Sequence, residues 1–405
     1  MTEGFTRAII TLMTDRPKIP RNVIIVAFVA LASGFGQDLI TPVLPAYLAA
    51  LGVSNAGIGL IDGLLQGAMS IFRFVSGSLS DRYRNRKFFV FLGYALSAVS
   101  RPLLALGGGL FGIAALRTID GVGKGMKDAP RDALVADSAA EEYRGRAFGF
   151  HRLVDTAGSV LGPLTAAAIL FALTATIRSY HIIFALAAIP GAVALSLIWF
   201  GVKEPEKKKV AAKAIGPKLG WRFWFFTLSM SLAMLTKIND SLFLIRAHGV
   251  GVPAQWIPVL FAGFTLLYAL LSYPLGILSD KIGKAPLIAA GWLVLAVVEF
   301  GFSFDPHIVA TLFLFALYGL FYALTEGSGR AIIADLSPAQ NRGTAYGIYN
   351  TLVGLAVITG GYALGLIWDS VSPETAFRLS SLGSLLGCGG LLVLALIGKR
   401  KTAIA

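Results

Sequence analysis

Twelve long apolar stretches, each close to the length that crosses a lipid bilayer, follow one another along the sequence. The hydrocarbon core of a bilayer is about 30 Å thick, which a helix of about 20 apolar residues spans. The chain is 56% hydrophobic and 14% charged, whereas soluble domains carry about 25% charged residues. We therefore predict an all-α integral membrane protein with twelve transmembrane helices at residues 22–50, 55–79, 87–107, 109–136, 145–174, 179–201, 222–247, 253–279, 285–304, 308–335, 343–368 and 375–398.

One long polar segment and two repeated motifs divide the chain into halves. GSLSDR at residues 77–82 returns as GILSDK at 276–281, and ADSAAEEYRGRAFGF at 136–150 returns as ADLSPAQNRGTAYGI at 334–348. Such repeats in a membrane protein predict two pseudo-symmetric bundles that face each other across a transport pathway. The predicted parts are an N-terminal six-helix bundle at 1–202, a cytoplasmic linker at 203–221 and a C-terminal six-helix bundle at 222–405.

Lysine and arginine concentrate in alternate loops, beginning with the segment before the first helix. The central linker and the loop at 82–87 are rich in them, whereas the loops on the opposite side hold few, such as Arg178, Arg246 and Arg378. Because basic loops stay in the cytoplasm, we expect both termini and the linker on the cytoplasmic side of the plasma (inner) membrane. Attraction to anionic lipid accounts for the net charge of +13, so no nucleic-acid partner is expected.

Three motifs carry a resemblance to a known family. The segment from Gly77 to Arg82 and its copy from Gly276 to Lys284 resemble the loop motif of the major facilitator superfamily of secondary transporters, and Arg117 with Gly121 resembles its helix 4 motif. The segment GSVLGP, with Gly158, Gly162 and Pro163, resembles the antiporter motif of its drug:proton antiporter branch. The resemblance covers almost the whole chain and implies transport by alternating access.

The loop charges recur in register in the two halves. The resemblance implies that they form a latch, which closes the cytoplasmic side and breaks when the bundles rock. The alternative is that they only orient the helices in the membrane and cap helix ends. The predicted latch residues are Asp81, Arg82, Asp137, Arg144, Asp280, Lys281, Asp335 and Arg342.

The fourth predicted helix carries a charged stripe. Asp120, Lys124, Lys127 and Arg131 follow the spacing i, i+4, i+7 and i+11, which is one helical face. A charged side chain at the centre of a bilayer costs about 3 kcal/mol even on the lowest scales, so this face cannot meet lipid. We expect it to line the central cavity. For the charges nearer the cytoplasmic end, static ion pairs are the favoured interpretation: Asp128, Arg131, Asp132 and Arg330.

Other predicted helices carry possible partners for this stripe at similar depth. A carboxyl group that is buried beside a cation can change its protonation with access and with substrate, as proton coupling requires. Two lysines at mid-membrane favour an anionic or zwitterionic group in the substrate. The predicted substrate and proton-coupling residues are Asp38, Asp120, Lys124, Lys127, Arg152, Asp155, Lys237 and Glu326.

These features predict a monomeric, proton-coupled secondary transporter that exports a small amphiphilic or anionic solute. The alternatives are a proton-coupled importer of an organic anion, an exporter of a metal ion or metallophore, and a membrane scaffold or receptor that transports nothing. With one cysteine and four scattered histidines, no metal site or cofactor is expected. The absence of a phosphate-binding loop of the type GxxxxGK[ST] argues against an enzyme.

Overall fold

The computed structural model describes residues 19–83, 85–139, 143–204, 218–338 and 342–402, and it describes no side chains at 78, 81, 82, 280, 327, 328, 330, 331 and 397–402. Within those ranges the chain folds into long helices without strands. They are α1 (Arg21–Ile40 and Leu44–Ala50), α2 (Asn55–Tyr83), α3 (Arg86–Leu103 and the turn Leu104–Leu106), α4 (Gly109–Ser138), α5 (Arg144–Leu173), α6 (Ile177–Leu186, Ala188–Ser196 and the turn Leu197–Gly201), α7 (Trp221–Thr236 and Asp240–Gly249), α8 (Ile257–Ile282), α9 (Lys284–Phe302), α10 (Ile308–Leu336), α11 (Arg342–Ser370) and α12 (Pro373–Thr402).

Eleven of these helices are long and apolar enough to cross a membrane. The remaining helix, α4, has 30 residues, but it is less apolar than the others because it carries the charged stripe. It packs between α2 and α3, so neighbouring helices cover much of its polar surface. The predicted all-α membrane fold, with α4 as a buried member, is confirmed.

The two halves of the chain have separate buried apolar cores. One cluster runs from Phe223 to Leu394 in the second half, whereas three clusters, which together run from Val23 to Val202, form the core of the first half. Each half therefore packs as a bundle of its own. The bundle boundaries remain a prediction, because most of the predicted linker, residues 205–217, lies outside the described residues.

Two helices that were predicted to be continuous are interrupted at mid-length. α1 is broken at residues 41–43 beside Pro42, and α7 is broken at residues 237–239, where Lys237 and Asn239 adopt extended backbone conformations. Interrupted helices at equivalent positions of two repeats line the binding site in many transporters, because the break frees backbone groups to bind. The α7 break contains no proline or glycine, so neither of the usual sequence signals of a break marks it.

The bundles touch closely at one face of the molecule, and a cavity lies between them toward the other. We call the face where α2 meets α3 and α8 meets α9 the linker face, because α6 ends and α7 begins there. At the opposite face α2 packs on α11 through glycines: a Cβ at Gly63 would lie 2.9 Å from the Cα of Ile358. There Asp369 of α11 also accepts hydrogen bonds from the backbone N–H groups of Asn55 (3.1 Å) and Ala56 (2.8 Å), which caps α2 across the bundle interface.

Candidate functional site

A cavity of about 980 Å³ lies between the two bundles and is lined by α2 and α4 of the first and by α7, α9, α10 and α11 of the second. Its lining reaches the linker face at Gly77, Asp132 and Gly343. Toward the opposite face it ends near Asp62 and Val357, below the glycine contact of α2 with α11. The described lining therefore connects the cavity with the linker face and stops short of the opposite ends of α2 and α11.

Carboxylates outnumber basic groups among the described residues of the cavity wall. The described basic side chains are Arg73, which forms a salt bridge of 2.6 Å with Asp128, and Lys237, which forms one of 3.1 Å with Asp240. The described carboxylates of the lining are Asp62, Asp128, Asp132, Asp240 and Glu326. This described part of the lining is thus net acidic if all of these groups are charged, which favours a positively charged occupant.

Asp240 is the most heavily bonded carboxylate of the cavity. It opens the second segment of α7 and accepts hydrogen bonds from the hydroxyl groups of Tyr322 (2.7 and 2.9 Å) and Tyr318 as well as from Lys237. Because two tyrosines and a lysine all bond this carboxylate, it can lose one of these partners to a ligand and keep the others. A cationic group of a solute can replace Lys237 there without leaving Asp240 unpaired.

The rest of the wall is aromatic and sulfur-rich. Aromatic faces attract cations and also bury apolar surface, and methionine adapts its shape to different ligands. The ammonium group of Lys237 already lies 5.6 Å from the ring centre of Tyr318 and 5.9 Å from that of Tyr322. The aromatic and methionine residues of the lining are Phe74, Phe226, Trp292, Phe321, Tyr322, Tyr346, Tyr349, Met69, Met230 and Met234.

A hydrogen-bonded chain joins the bundles beside the cavity. The guanidinium group of Arg152 on α5 donates to the hydroxyl of Tyr268 on α8, and that hydroxyl donates to Glu326 on α10. Arg152 also lies 3.7 Å from Asp155. Of the predicted coupling residues, Lys237 and Glu326 line the cavity, and this chain connects Arg152 to that site.

The predicted position of the charged stripe requires correction. Asp120, Lys124 and Lys127 do not line the central cavity but face the interior of the first bundle. Asp120, only 1% exposed, forms salt bridges with Arg101 of α3 (3.1 Å) and with Arg117 of its own helix (3.2 Å). These partners neutralise the carboxylate inside the bundle, so the stripe avoids lipid without meeting the pathway.

The two lysines of the stripe are buried in the same region. The ammonium group of Lys127 donates to the hydroxyl of Ser33 on α1 at 2.9 Å and lies 4.2 Å from the ring centre of Tyr94. Lys124 is 6% exposed and faces the charges of Asp120 and Asp38. Asp38 and Asp155 likewise lie outside the cavity lining, so the coupling role of these residues remains a prediction without direct contact to the pathway.

The stripe ends in a group of ion pairs that does reach the cavity. Arg131 lies 2.9 Å from Asp132 and 3.5 Å from Asp128. Asp128 and Asp132 were assigned to static pairs, and they form such pairs while they also line the cavity. The side chain of Arg330 lies outside the described part of the chain.

Two of the predicted latch residues that the structure describes form ion pairs within a bundle. Asp137 forms an ion pair with Arg86, and Asp335 forms one of 2.5 Å with Lys284 at the corresponding position of the repeat. Arg144 donates to the carbonyl oxygen of Ala136. Lys281 and Arg342 are exposed, and the side chains of Asp81, Arg82 and Asp280 lie outside the described residues. A latch between bundles thus stays a prediction for the conformation that is closed at this face.

The antiporter-like motif lies where α5 packs on α1. A Cβ at Gly158 would overlap the backbone of Leu31, and one at Gly162 would meet the backbone N of Leu39 at 2.8 Å. Gly162 and Pro163 are both buried. The motif therefore permits close contact of two helices in the first bundle and does not itself line the cavity.

Sequence reasoning left several cavity residues out of the predicted site. Asp62 on α2, Arg73 on α2 and Asp240 on α7 are ionisable groups within predicted transmembrane helices. That position alone marks an ionisable residue as a functional candidate, so the signal was present in the sequence. The buried Glu299 on α9 was missed although it carries the same signal. Among the described residues, no group of three or more His, Cys, Asp or Glu side chains can hold a metal ion.

Two helical bundles around a cavity that carries charged side chains and opens at one face are the architecture of a membrane transporter. The sequence model described as Major Facilitator Superfamily matches residues 26–244 and 223–404. An uncharacterized MFS-type transporter of Methanocaldococcus jannaschii is 32% identical over 386 residues, which cover 93% of this chain and 95% of that protein. The chain therefore belongs to the major facilitator superfamily and is a secondary transporter rather than an enzyme.

Two further similarities refine this assignment. The multi-drug resistance efflux pump PmrA of Streptococcus pneumoniae is 29% identical over 189 residues, which cover 45% of each chain. The crystal structure of the nucleoside transporter NupG (D323A mutant) has a TM-score of 0.76 at 14% identity and covers 92% of this chain and 99% of that one. The fold is thus shared with a solved transporter, and the resemblance to the drug:proton antiporter branch is confirmed.

Proposed function

We propose that the protein exports a small amphiphilic solute that carries a positive charge, in exchange for protons. The observation that carries this proposal is the cavity lining, which is net acidic and aromatic over its described residues and includes Asp240. The expectation of an anionic solute depended on Lys124 and Lys127 at the pathway, and these lysines lie inside the first bundle instead. A solute cation and a proton would compete for the same carboxylates, which gives antiport by mutual exclusion.

The direction and the orientation belong to the same proposal. Similarity to an efflux pump over part of the chain supports export. The basic loops support a cytoplasmic linker face, with both termini in the cytoplasm and the protein in the plasma membrane. With that orientation, the structure corresponds to the inward-facing conformation, which loads solute from the cytoplasm. One chain contains both bundles and hence a complete pathway, so a monomer suffices.

The experiment uses purified protein in liposomes that contain a pH-sensitive dye, with a proton gradient imposed. The solutes are a matched pair with the same ring and opposite charge, benzyltrimethylammonium and phenylacetate. We expect the cation, and not the anion, to drive a proton flux opposite to its own movement. Asp240→Asn should abolish this flux, while Asp305→Asn, an exposed carboxylate near the opposite face, should leave it within about twofold of the parent.

Three outcomes would contradict the proposal. Proton movement driven by phenylacetate alone would mean that the cavity selects anions despite its charge. Proton movement in the same direction as the cation would mean symport rather than antiport. Intact flux in Asp240→Asn would remove this carboxylate from the coupling site.

A further inference from the structure

Glu299 is a buried acid outside the cavity that the transport site described above does not use. It lies on α9 in the interior of the second bundle, with 0% of its surface exposed. Among the described residues no lysine or arginine forms a salt bridge with it, although burial of an uncompensated charge is strongly unfavourable. A carboxyl group in such a place needs a reason other than stability.

The equivalent position in the first bundle has an ionic partner, which Glu299 lacks among the described residues. The offset that relates residue 136 to residue 334 also relates Arg101 to Glu299 and Asp120 to Tyr318. In the first bundle Arg101 and Asp120 form a salt bridge of 3.1 Å, so the two charges cancel. In the second bundle the tyrosine replaces the counter-charge, and Glu299 is left with hydroxyl partners.

Those hydroxyl partners connect Glu299 to the break in α7. Ser384 of α12 donates to one carboxylate oxygen at 2.6 Å, and Ser380 donates to the other at 2.5 Å. Ser380 in turn accepts the backbone N–H of Ile238 at 2.8 Å. Ile238 is the central residue of the break, where the N–H has no helical acceptor, so Ser380 satisfies a buried donor that would otherwise be orphaned.

The same break carries the contacts that matter for transport. Lys237 in the break and Asp240 directly after it line the cavity, and the amide of Asn239 donates to the carbonyl oxygen of Gly59 in the first bundle at 2.9 Å. From Glu299 to the bundle interface the connection therefore runs through Ser380, the backbone at 238 and Asn239. This chain of contacts links Glu299 to the cavity and to the interface between the bundles.

We infer that Glu299 is a proton-binding residue outside the substrate cavity that controls the α7 break and, through it, the packing of the two bundles. A proton bound at one oxygen reverses the hydrogen bond there, so that the serine accepts where it donated. The groups that face Glu299 are the two serines of α12, the N–H of Ile238 and, at longer range, the ammonium of Lys237. The nearby hydroxyl of Tyr318 on α10 bonds Lys237 and Asp240 instead.

This inference rests on the proton coupling proposed above, and the experiment separates the two. Cys388 is the sole cysteine, so Cys388→Ala gives a background for spin labels. Exposed positions at the ends of corresponding helices report bundle separation: Leu106 and Phe304 at the opposite face, and Tyr83 and Ile282 at the linker face. The distance distribution between the two spin labels of each pair is measured by double electron–electron resonance in lipid nanodiscs from pH 5 to pH 9, without any solute.

We expect the parent to shift between two distance populations across this range, in opposite senses at the two faces. Glu299→Gln keeps the shape and, like the protonated acid, accepts at one terminal atom and donates at the other, but it cannot change its charge, and it should abolish most of that shift. Ser380→Ala should displace the midpoint of the transition by one pH unit or more. Ser381→Ala is the matched control, because this buried neighbour donates to the carbonyl oxygen of Ala296 and not to Glu299.

Three results overturn the inference. If Glu299→Gln retains the pH response of the parent while Asp240→Asn loses it, proton coupling stands and Glu299 has no part in it. If Ser381→Ala displaces the midpoint as far as Ser380→Ala does, the effect is general packing of α12. If the parent shows no pH response, both this inference and the proposed coupling are wrong. Monodisperse elution and an unchanged melting temperature of Glu299→Gln exclude simple unfolding.

Discussion

At the residue scale, the structure separates two kinds of buried charge. The charges of the first bundle cancel one another through direct contacts, as Asp120 does with Arg101 and Arg117. In the cavity, by contrast, Asp240 is held by two tyrosine hydroxyl groups and one lysine and faces open space. The first arrangement fixes a fold, and the second leaves a charge that a ligand can reach.

This distinction predicts that two similar substitutions destabilise the protein to different extents. Asp120→Asn leaves Arg101 and Arg117 buried without a counter-charge, so we expect a loss of about 3–5 kcal/mol in the free energy of unfolding. Asp132→Asn removes a half-exposed carboxylate and should cost no more than about 1 kcal/mol. Thermal unfolding of both variants in the same detergent measures the difference. Equal melting temperatures would mean that the Asp120 contacts are weak.

At the element scale, the α2–α11 contact holds the opposite face closed. Its glycines let two backbones touch, and Asp369 adds a helix cap that crosses the bundle interface. A helix cap contributes about 1 kcal/mol, which changes a two-state population about fivefold. The contact is therefore strong enough to favour one conformation and weak enough to break during transport.

Gly63→Ala should open the opposite face. The new Cβ would lie 2.9 Å from the Cα of Ile358 and 3.0 Å from the carbonyl oxygen of Val357, and backbone atoms yield only if α11 moves away. We expect the distance between labels at Leu106 and Phe304 to lengthen. Gly263→Ala is the control, because nothing lies within 4 Å of its Cβ position. An unchanged distance would show that the helices adjust locally.

At the scale of the whole molecule, the pathway is open at one face and closed at the other. The cavity reaches the linker face, and the α2–α11 contact covers its inner end. Alternating access requires that this asymmetry reverse during the cycle. Contacts between the bundles would then break at one end of α2 and α11 and form at the other end.

Accessibility of the cavity from each side of the membrane measures this asymmetry directly. Ser70→Cys on the cavity wall, in the Cys388→Ala background, should react with a membrane-impermeant maleimide from the cytoplasmic side at least tenfold faster than from outside. Val371→Cys, an exposed position at the opposite face, should react from outside. Faster labelling of Ser70→Cys from outside would contradict either the proposed orientation or the inward-facing resting state.

The sequence by itself determined the membrane class, the helices and the repeat. Apolar length is a local property, so α2, α9 and α12 are visible as single stretches, and the repeated aspartates at 137 and 335 mark two equivalent bundles. Even α4 is recognisable, because its charges share one face.

Only the tertiary structure decided which buried charges reach the pathway. A polar helical face that avoids lipid can meet either a neighbouring helix or the cavity, and both choices have the same spacing in the sequence. Lys124 and Lys127 turn toward α1 and α3 because Ser33, Tyr94 and the ion pairs of the first bundle receive them there. The break in α7 was equally invisible, since Ser380 on a distant helix satisfies the N–H of Ile238. Contacts between residues far apart in the sequence determine both features. Such contacts cannot be read from a local sequence pattern.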